Sequence, residues 1–390
     1  MKTMLVVMFA ALAALAEEKE GLMVRGQPTN TSTATPHKAS QSVKDAFAEA
    51  DQHFTYKGKP IHPSLLCEFL APISDKGFPL AVSVDVAAAF DTNEYYDSAA
   101  KDETGAVSCK NVDKKTHDGY RWFGRMSDGS HVVYVWQDDG NRMFPRNLFF
   151  VKFAMGKGFM PDGTGYDRLL MTAIRWYAPF DARSKVMVSD DGVVISMDGK
   201  DPITLKPPDE KESASLGDDI RDGLREIDNS FTYKGKPIHP SIIQEFTGYL
   251  SDKGFPLSVS VDLAAAAGSN RYYDGKVKQP KPGLYSVDSD MGQGFFAYRW
   301  CGKMADGTQV VRTFSSGGGS GVFEDLYFLQ FAIGRGYKPD GSAYNRLLVT
   351  AARWFPLGDR SKAEVQVFPD KVVVSQGTDG KGPVTLHMAQ

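Results

Sequence analysis

Apolar residues early in the chain recur at helical spacing. Val43, Ala46, Phe47 and Ala50 fall at i, i+3, i+4 and i+7, with Ser42 placed as a cap. A matching stripe returns at Ile220, Leu224 and Ile227. Each stripe is followed by His-Pro, at His62-Pro63 and His239-Pro240. Proline there suits the first position of a second, short helix. That helix is expected to stop at an SDKG turn, with Gly77 or Gly254 beyond its last residue.

The pattern then changes to period two. Leu80, Val82, Val84 and Val86 share one face, and Ser83 and Asp85 the other. The runs YRWFGRM, HVVYVW, LFFVKFAM, RLLMTAIRWY, KVMVS and GVVISM read as further strands, separated by turns such as Asp128-Gly129 and Asp162-Gly163. LFFVKFAM also suits a buried helix, because a continuous apolar run does not arbitrate between the two. Short strands at hairpin spacing predict an antiparallel sheet. The expected class is α+β: two tandem copies of one module, each with two N-terminal helices packed on a mainly antiparallel sheet, sandwich-like or an open barrel.

The tandem copies follow from an internal repeat. FTYKGKPIHPS occurs from Phe54 to Ser64 and again, unchanged, from Phe231 to Ser241. SDKGFPLAVSVDVA from Ser74 answers SDKGFPLSVSVDLA from Ser251, and PDGTGYDRLLMTAIRW from Pro161 answers PDGSAYNRLLVTAARW from Pro339. Several long matches in one order mark a duplication, and the period exceeds the roughly 20–50 residues of solenoid units. The expected copies span 42–205 and 216–390, joined by a linker at 206–215.

The N-terminus reads as a secretory signal over 1–16. Lys2 begins it, Met4 to Leu15 form a short apolar core, and Ala14 and Ala16 supply the small residues of a cleavage site. The apolar stretch is shorter than the roughly 20 residues of a spanning helix. A Thr/Ser/Pro-rich leader over 17–41 carries one N-x-S/T triplet, Asn30-Thr31-Ser32. The expected location is secreted or periplasmic, with no membrane span.

Composition adds little. A net charge of −3 with both signs interspersed gives no basic face for nucleic acid. Cys67, Cys109 and Cys301 fit no metal knuckle; Cys67 and Cys109 fall in one copy and could pair, leaving an odd thiol. No metal ligand set or cofactor motif is read, since HExxH, the P-loop and the nucleophile elbow are all missing. Glu68 and Glu245, six residues past the histidines, do not share a helical face with them.

Candidate ligand-binding residues are those polar and aromatic groups that recur in both copies. His62 and His239 are the only histidines at equivalent positions. Imidazole suits a base or a ligand, but a histidine before a helix-starting proline can equally satisfy a free backbone N–H. Asp85 and Asp262 lie among apolar strand residues and call for a partner: Arg121 or Arg175 in the first copy, Arg299 or Arg353 in the second. Tyr95 and Tyr272, each in a YYD context, offer faces on which sugar rings stack, or else they cover the sheet. SSGGGSG, from Ser315 to Gly321, reads as a flexible hairpin loop, although consecutive glycines can also present N–H groups to an anion.

The leading functional expectation is an exported, non-catalytic binding protein for a glycan or cell-envelope component. A hydrolase using His62 and Asp85 with Arg121, or His239 and Asp262, is the first alternative. An envelope or matrix structural protein is the second.

Overall fold

The computed structural model describes residues 41–70, 81–90, 99–110, 117–138, 146–160, 162–177, 180, 183–207, 218–247, 258–266, 276–288, 294–338, 340–376 and 382–387. The expected signal (1–16), leader positions 17–40, both SDKG turns, Tyr95, Tyr272 and linker positions 208–215 lie outside them; Gln41, expected to end the leader, instead opens the first helix.

The identical FTYKGKPIHPS segments show how local sequence sets the frame. Helix α1 (Gln41–His53) buries Ala46 and Ala50; its counterpart α4 (Asp218–Ser230) buries Ile220 and Ile227. Because α1 begins at Gln41, Ser42 lies inside it rather than capping it. Phe54 and Phe231 close these helices in the left-handed region, at φ 56° and 54°. Such strain in a bulky residue needs tertiary support. Phe54 has it, with its ring stacked on Trp122 at 6.0 Å; Phe231 stacks on Trp300 at 6.2 Å.

A two-residue hairpin follows each, Thr55–Tyr56 with Lys59–Pro60 and Thr232–Tyr233 with Lys236–Pro237. Its turn residues take positive φ, Lys57 at 50° and Gly58 at 73°, which is the primed turn that matches strand twist. Glu49 Oε1 then accepts from Gly58 N and Thr55 Oγ1, fastening the hairpin to α1. Glu226 repeats this with Gly235 and Thr232.

The expected α+β class is overturned. Among the described residues strands hold 56% and helices 16%, so the structure is mostly β. Apart from α1 and α4, the helices are single turns: α2 (Pro63–Cys67), α3 (Val86–Phe90), α5 (Pro240–Gln244) and α6 (Leu263–Ala266). Nor does each copy own its main sheet.

The first half contributes β1 (Ala81–Asp85), β2 (Ala100–Lys101), β3 (Ala106–Lys110), β4 (His117–Arg125), β5 (His131–Asp138), β6 (Asn147–Phe159) and β7 (Gly165–Tyr177). The second contributes β8 (Ser258–Asp262), β9 (Lys278–Lys281), β10 (Leu284–Asp288), β11 (Phe295–Lys303), β12 (Gln309–Ser316), β13 (Phe323–Tyr337) and β14 (Ala343–Asp359). All fourteen join one mixed sheet in the order β9-β10-β11-β12-β13-β14-β8-β1-β7-β6-β5-β4-β3-β2. The order is the same read outward from either side of the β8–β1 seam. LFFVKFAM lies within β6, which settles it as strand.

The physical reason for the merger is the short pair β1 and β8. Each is hydrogen-bonded on one side to its own half, β1 to β7 and β8 to β14. Their other edges would be bare, and they satisfy each other instead. Beyond these short strands the long hairpins meet directly. Parallel bridges at Tyr337↔Arg175 and Arg353↔Phe159 close the middle of the sheet on itself.

Both faces of each half are covered. Val133, Val135, Phe149 and Val151 pack with Leu65 and Leu66 of α2. The alternate residues Val132, Tyr134, Leu148 and Phe150 pack instead on a three-stranded sheet through Val193, Ile195 and Leu205. A similar small sheet from Val365 to His387 covers the second half. No helix among the described residues is long and apolar enough to cross a membrane.

Candidate functional site

Asp85 is the last residue of β1, and its side chain turns to start α3. Its Oδ1 accepts from Ala87 N at 3.0 Å and Ala88 N at 3.2 Å, an N-cap geometry. Asp262 caps α6 in the same way, accepting from Ala265 N at 3.1 Å. Neither carboxylate pairs with the arginines expected from the sequence. Arg168 Nε lies 3.7 Å from Asp85 Oδ2, and Arg346 Nε lies 3.8 Å from Asp262 Oδ2.

Those two arginines hold the halves together. Arg168 Nη1 donates to Ala351 O at 2.9 Å, and Arg346 Nη1 donates to Ala173 O at 2.7 Å. Each Nε donates to a tyrosine hydroxyl of its own strand, Tyr166 or Tyr344. All four charged groups are buried. Ser83 with Thr172, and Ser260 with Thr350, complete the polar lining with hydroxyl pairs at 2.8 Å. Arg175 and Arg353 are also buried, and donate to Lys206 O and His387 O at the ends of the small sheets. The recurring Asp and Arg residues therefore form a closed seam.

His62 and His239 act as helix caps. Each Nδ1 accepts the N–H of the serine two residues on, Ser64 or Ser241, at 3.3 Å. His62 sits in the helical layer. Asp85 alternates with Val84, whose side chain faces that layer, so the carboxylate turns to the opposite face of the sheet. The fold does not bring His62 and Asp85 together. Arg121 is exposed and rests over the Phe123 ring. Arg299, its counterpart, is half-buried.

The first half has a polar cluster that the sequence reading did not find. Ser64 Oγ donates to Asp118 Oδ2 at 2.8 Å, and Gln137 Nε2 donates to Asp118 Oδ1 at 2.9 Å. Cys109 Sγ lies 3.6 Å from Ser64 Oγ, and Cys67 Sγ donates to Trp136 O. All three cysteines are free thiols. The second half replaces Asp118 by Phe296 and Cys67 by Gln244, so the cluster is not duplicated. Comparing the halves position by position, relative to the shared YRW run, was the signal that could have found it. Among the described residues, no group of three or more His, Cys, Asp or Glu is placed to hold a metal.

Burial has electrostatic consequences. It raises the carboxyls of Asp85, Asp262 and Asp325 to about 6, against the relief given to the first two by Arg168 and Arg346. Burial first, then the charge of Glu245 from the other half, pushes Glu68 up to about 8. Burial lowers His62 and His131 to about 4. The raised carboxyls bind protons more tightly folded than unfolded, so their stability is present at low pH and is lost as pH rises through the folded values. The histidines act oppositely, losing stability as pH falls below the ordinary imidazole value of 6.5. Four carboxyls oppose two imidazoles below about pH 6, and above that Glu68 alone continues.

The melting temperature is therefore expected to rise, on the order of 5 °C, on acidification from about pH 8 to about pH 5.5. Asp85→Asn with Asp262→Asn should flatten the lower part of that profile. A melting temperature that falls throughout the same acidification would contradict these assignments.

Comparison with family models, with curated proteins and with solved structures finds no match to this chain.

Proposed function

We propose that the protein is an exported, non-catalytic binding protein whose ligand, a glycan or another cell-envelope component, docks on the outer strands of the sheet. One observation carries the reading. Residues identical in both halves supply the caps, hairpins and seam, whereas several polar groups that differ lie on the outer strands. Asp118, Cys109 and Gln137 lie on β4, β3 and β5, while the second half places Phe296, Val287 and Ser315 on β11, β10 and β12. A common frame with divergent outer strands suits two recognition surfaces that need not share a ligand. Linking them in one chain raises avidity without new contacts.

The export signal and the tyrosines at Tyr95 and Tyr272 support the same reading from the sequence alone. The test applies the intact mature chain to a polysaccharide array and to envelope preparations, followed by calorimetry on any hit. Saturable binding that weakens about tenfold or more with Tyr95→Ala or Tyr272→Ala is the expected result, the size of a lost aromatic contact at a recognition site. Failure to bind any carbohydrate or envelope fraction overturns it.

A further inference from the structure

The outer strands of the second half place three cations in one cross-strand row. Lys281 on β9 pairs with Leu284 on β10, Leu284 pairs with Arg299 on β11, and Arg299 pairs with Arg312 on β12. Residues directly opposite across a sheet point to the same face. Lys281 and Arg299 are two strands apart, about 10 Å between backbones, a span that two long side chains can close. Leu284 between them is fully buried. It belongs to a small apolar cluster with Phe295, Ala297, Phe314 and Val322, set apart from the main cores.

The charges in this row do not balance. Arg312 is fully engaged: its Nε donates to Glu324 Oε2 at 2.7 Å, Nη1 to Ala363 O and Nη2 to Ser361 O. Lys281 Nζ and Arg299 Nε are also shielded from solvent, yet neither has a hydrogen-bond partner among the described residues. The two cations repel, and burial followed by the charge of Arg299 lowers the Lys281 ammonium below its ordinary value. Lys278, the other cation of β9, is paired with Asp288. Two adjacent cations with no counterion among the described residues are unfavourable in the free protein, and an anion between them would relieve that.

The first half shows that this is not a requirement of the frame. There Ala106 pairs with Arg121, which pairs with Tyr134. Asp102, whose N–H donates to Ala106 O, faces Ala106 in the first half as Lys281 faces Leu284 in the second, so a carboxylate stands where the second half has an amine. The charge of Arg121 acts on Asp102, whose carboxyl is held low mainly by its hydrogen bond from Thr104. One half is thus neutralised locally and the other is not.

We propose that Lys281 and Arg299 form an oxyanion-binding site specific to the second half, taking a sulfate, phosphate or carboxylate group. The amine acts as a point charge, and the guanidinium orients two oxygens. This site does not depend on the ligand class proposed above, because a free anion would occupy it equally.

The test titrates the intact protein, at constant ionic strength set with chloride, with inorganic sulfate, with a sulfated oligosaccharide and with its neutral parent, by calorimetry. Sulfate alone binding identifies a free-anion site, and tighter binding of the sulfated sugar identifies a sugar-borne group. In either case Lys281→Gln or Arg299→Gln should weaken binding roughly tenfold to a hundredfold, the size of a lost charge-assisted hydrogen bond. Arg121→Gln should leave it unchanged. Circular dichroism and melting of each variant separate lost binding from lost folding. No saturable binding of either anion, or binding that ignores both second-half variants, overturns the proposal. Binding of the neutral sugar alone also overturns it, while leaving the glycan reading intact.

Discussion

Replacing Arg168 with methionine is expected to cost about 3–5 kcal/mol of unfolding free energy, the range for breaking a buried ion pair by removing one partner. Arg168 is 2% exposed and Asp85 is fully buried. Removing the guanidinium leaves that carboxylate without a counterion and leaves Ala351 O without its 2.9 Å donor. The apolar replacement fills volume but satisfies neither group. Arg346→Met should behave alike, because its bond to Ala173 O mirrors the first. Asp85→Asn in the Arg168→Met background should recover part of the loss, since an amide can still accept at the α3 N-terminus but carries no charge. Urea unfolding read by tryptophan fluorescence measures all three. A cost under about 1 kcal/mol for either arginine would mean the seam contributes specificity rather than stability.

The second large effect concerns Gly158 and Gly336, which share those arginines' strand neighbours. A Cβ at Gly158 would lie 2.3 Å from Arg168 Nε and 2.6 Å from the Tyr166 ring; at Gly336 it would lie 2.4 Å from Arg346 Nε and 2.6 Å from the Tyr344 ring. The backbone there is ordinary, so any cost of alanine is steric. The arginines are buried, the tyrosines are half-buried, and each arginine–tyrosine pair is fixed by a hydrogen bond, so they cannot swing away. Gly158→Ala and Gly336→Ala should each lose about 1–3 kcal/mol or more, as overpacking does. Gly58 and Gly235 make the control. Their φ values are +73° and +71°, but nothing lies within 4 Å of an added Cβ. Alanine there should cost only the backbone penalty, about 1 kcal/mol. Equal costs at the two kinds of site would refute the close packing assigned to Gly158.

Much of the frame was legible in the sequence because its signals are local. The Val43–Ala50 stripe gave α1, His-Pro gave the start of α2, period-two alternation gave β1, and the runs HVVYVW and RLLMTAIRWY gave β5 and β7. The histidine cap was one of two readings weighed, and the structure places His62 in that role. The Asp85 partner was missed. The alternation of Ser83 and Asp85 was read as strand continuing, whereas the Val-Ala-Ala-Ala that follows is a helix turn needing a cap. Arg168 was passed over because it lies inside an apolar strand run, and its hydrogen-bond partner is 183 residues away in sequence.

Other misses have the same origin. The Asp118 cluster joins residues from three strands and a helix, with Ser64 and Asp118 separated by 54 positions. The Lys281–Leu284–Arg299–Arg312 row exists only once four strands are in register.

By itself the sequence determined that the chain is a duplication, that each copy opens with an amphipathic helix and a short helix begun at His-Pro, and that strands follow. These depend on spacing and turn chemistry within a dozen residues. Only the tertiary structure decided that the copies share one sheet rather than stand as separate modules. The α+β expectation failed there, because the strands β1 and β8 are too short to be covered within their own halves. Their edge hydrogen bonds, and the counterions and carbonyls of Arg168 and Arg346, are satisfied only when each half meets the other.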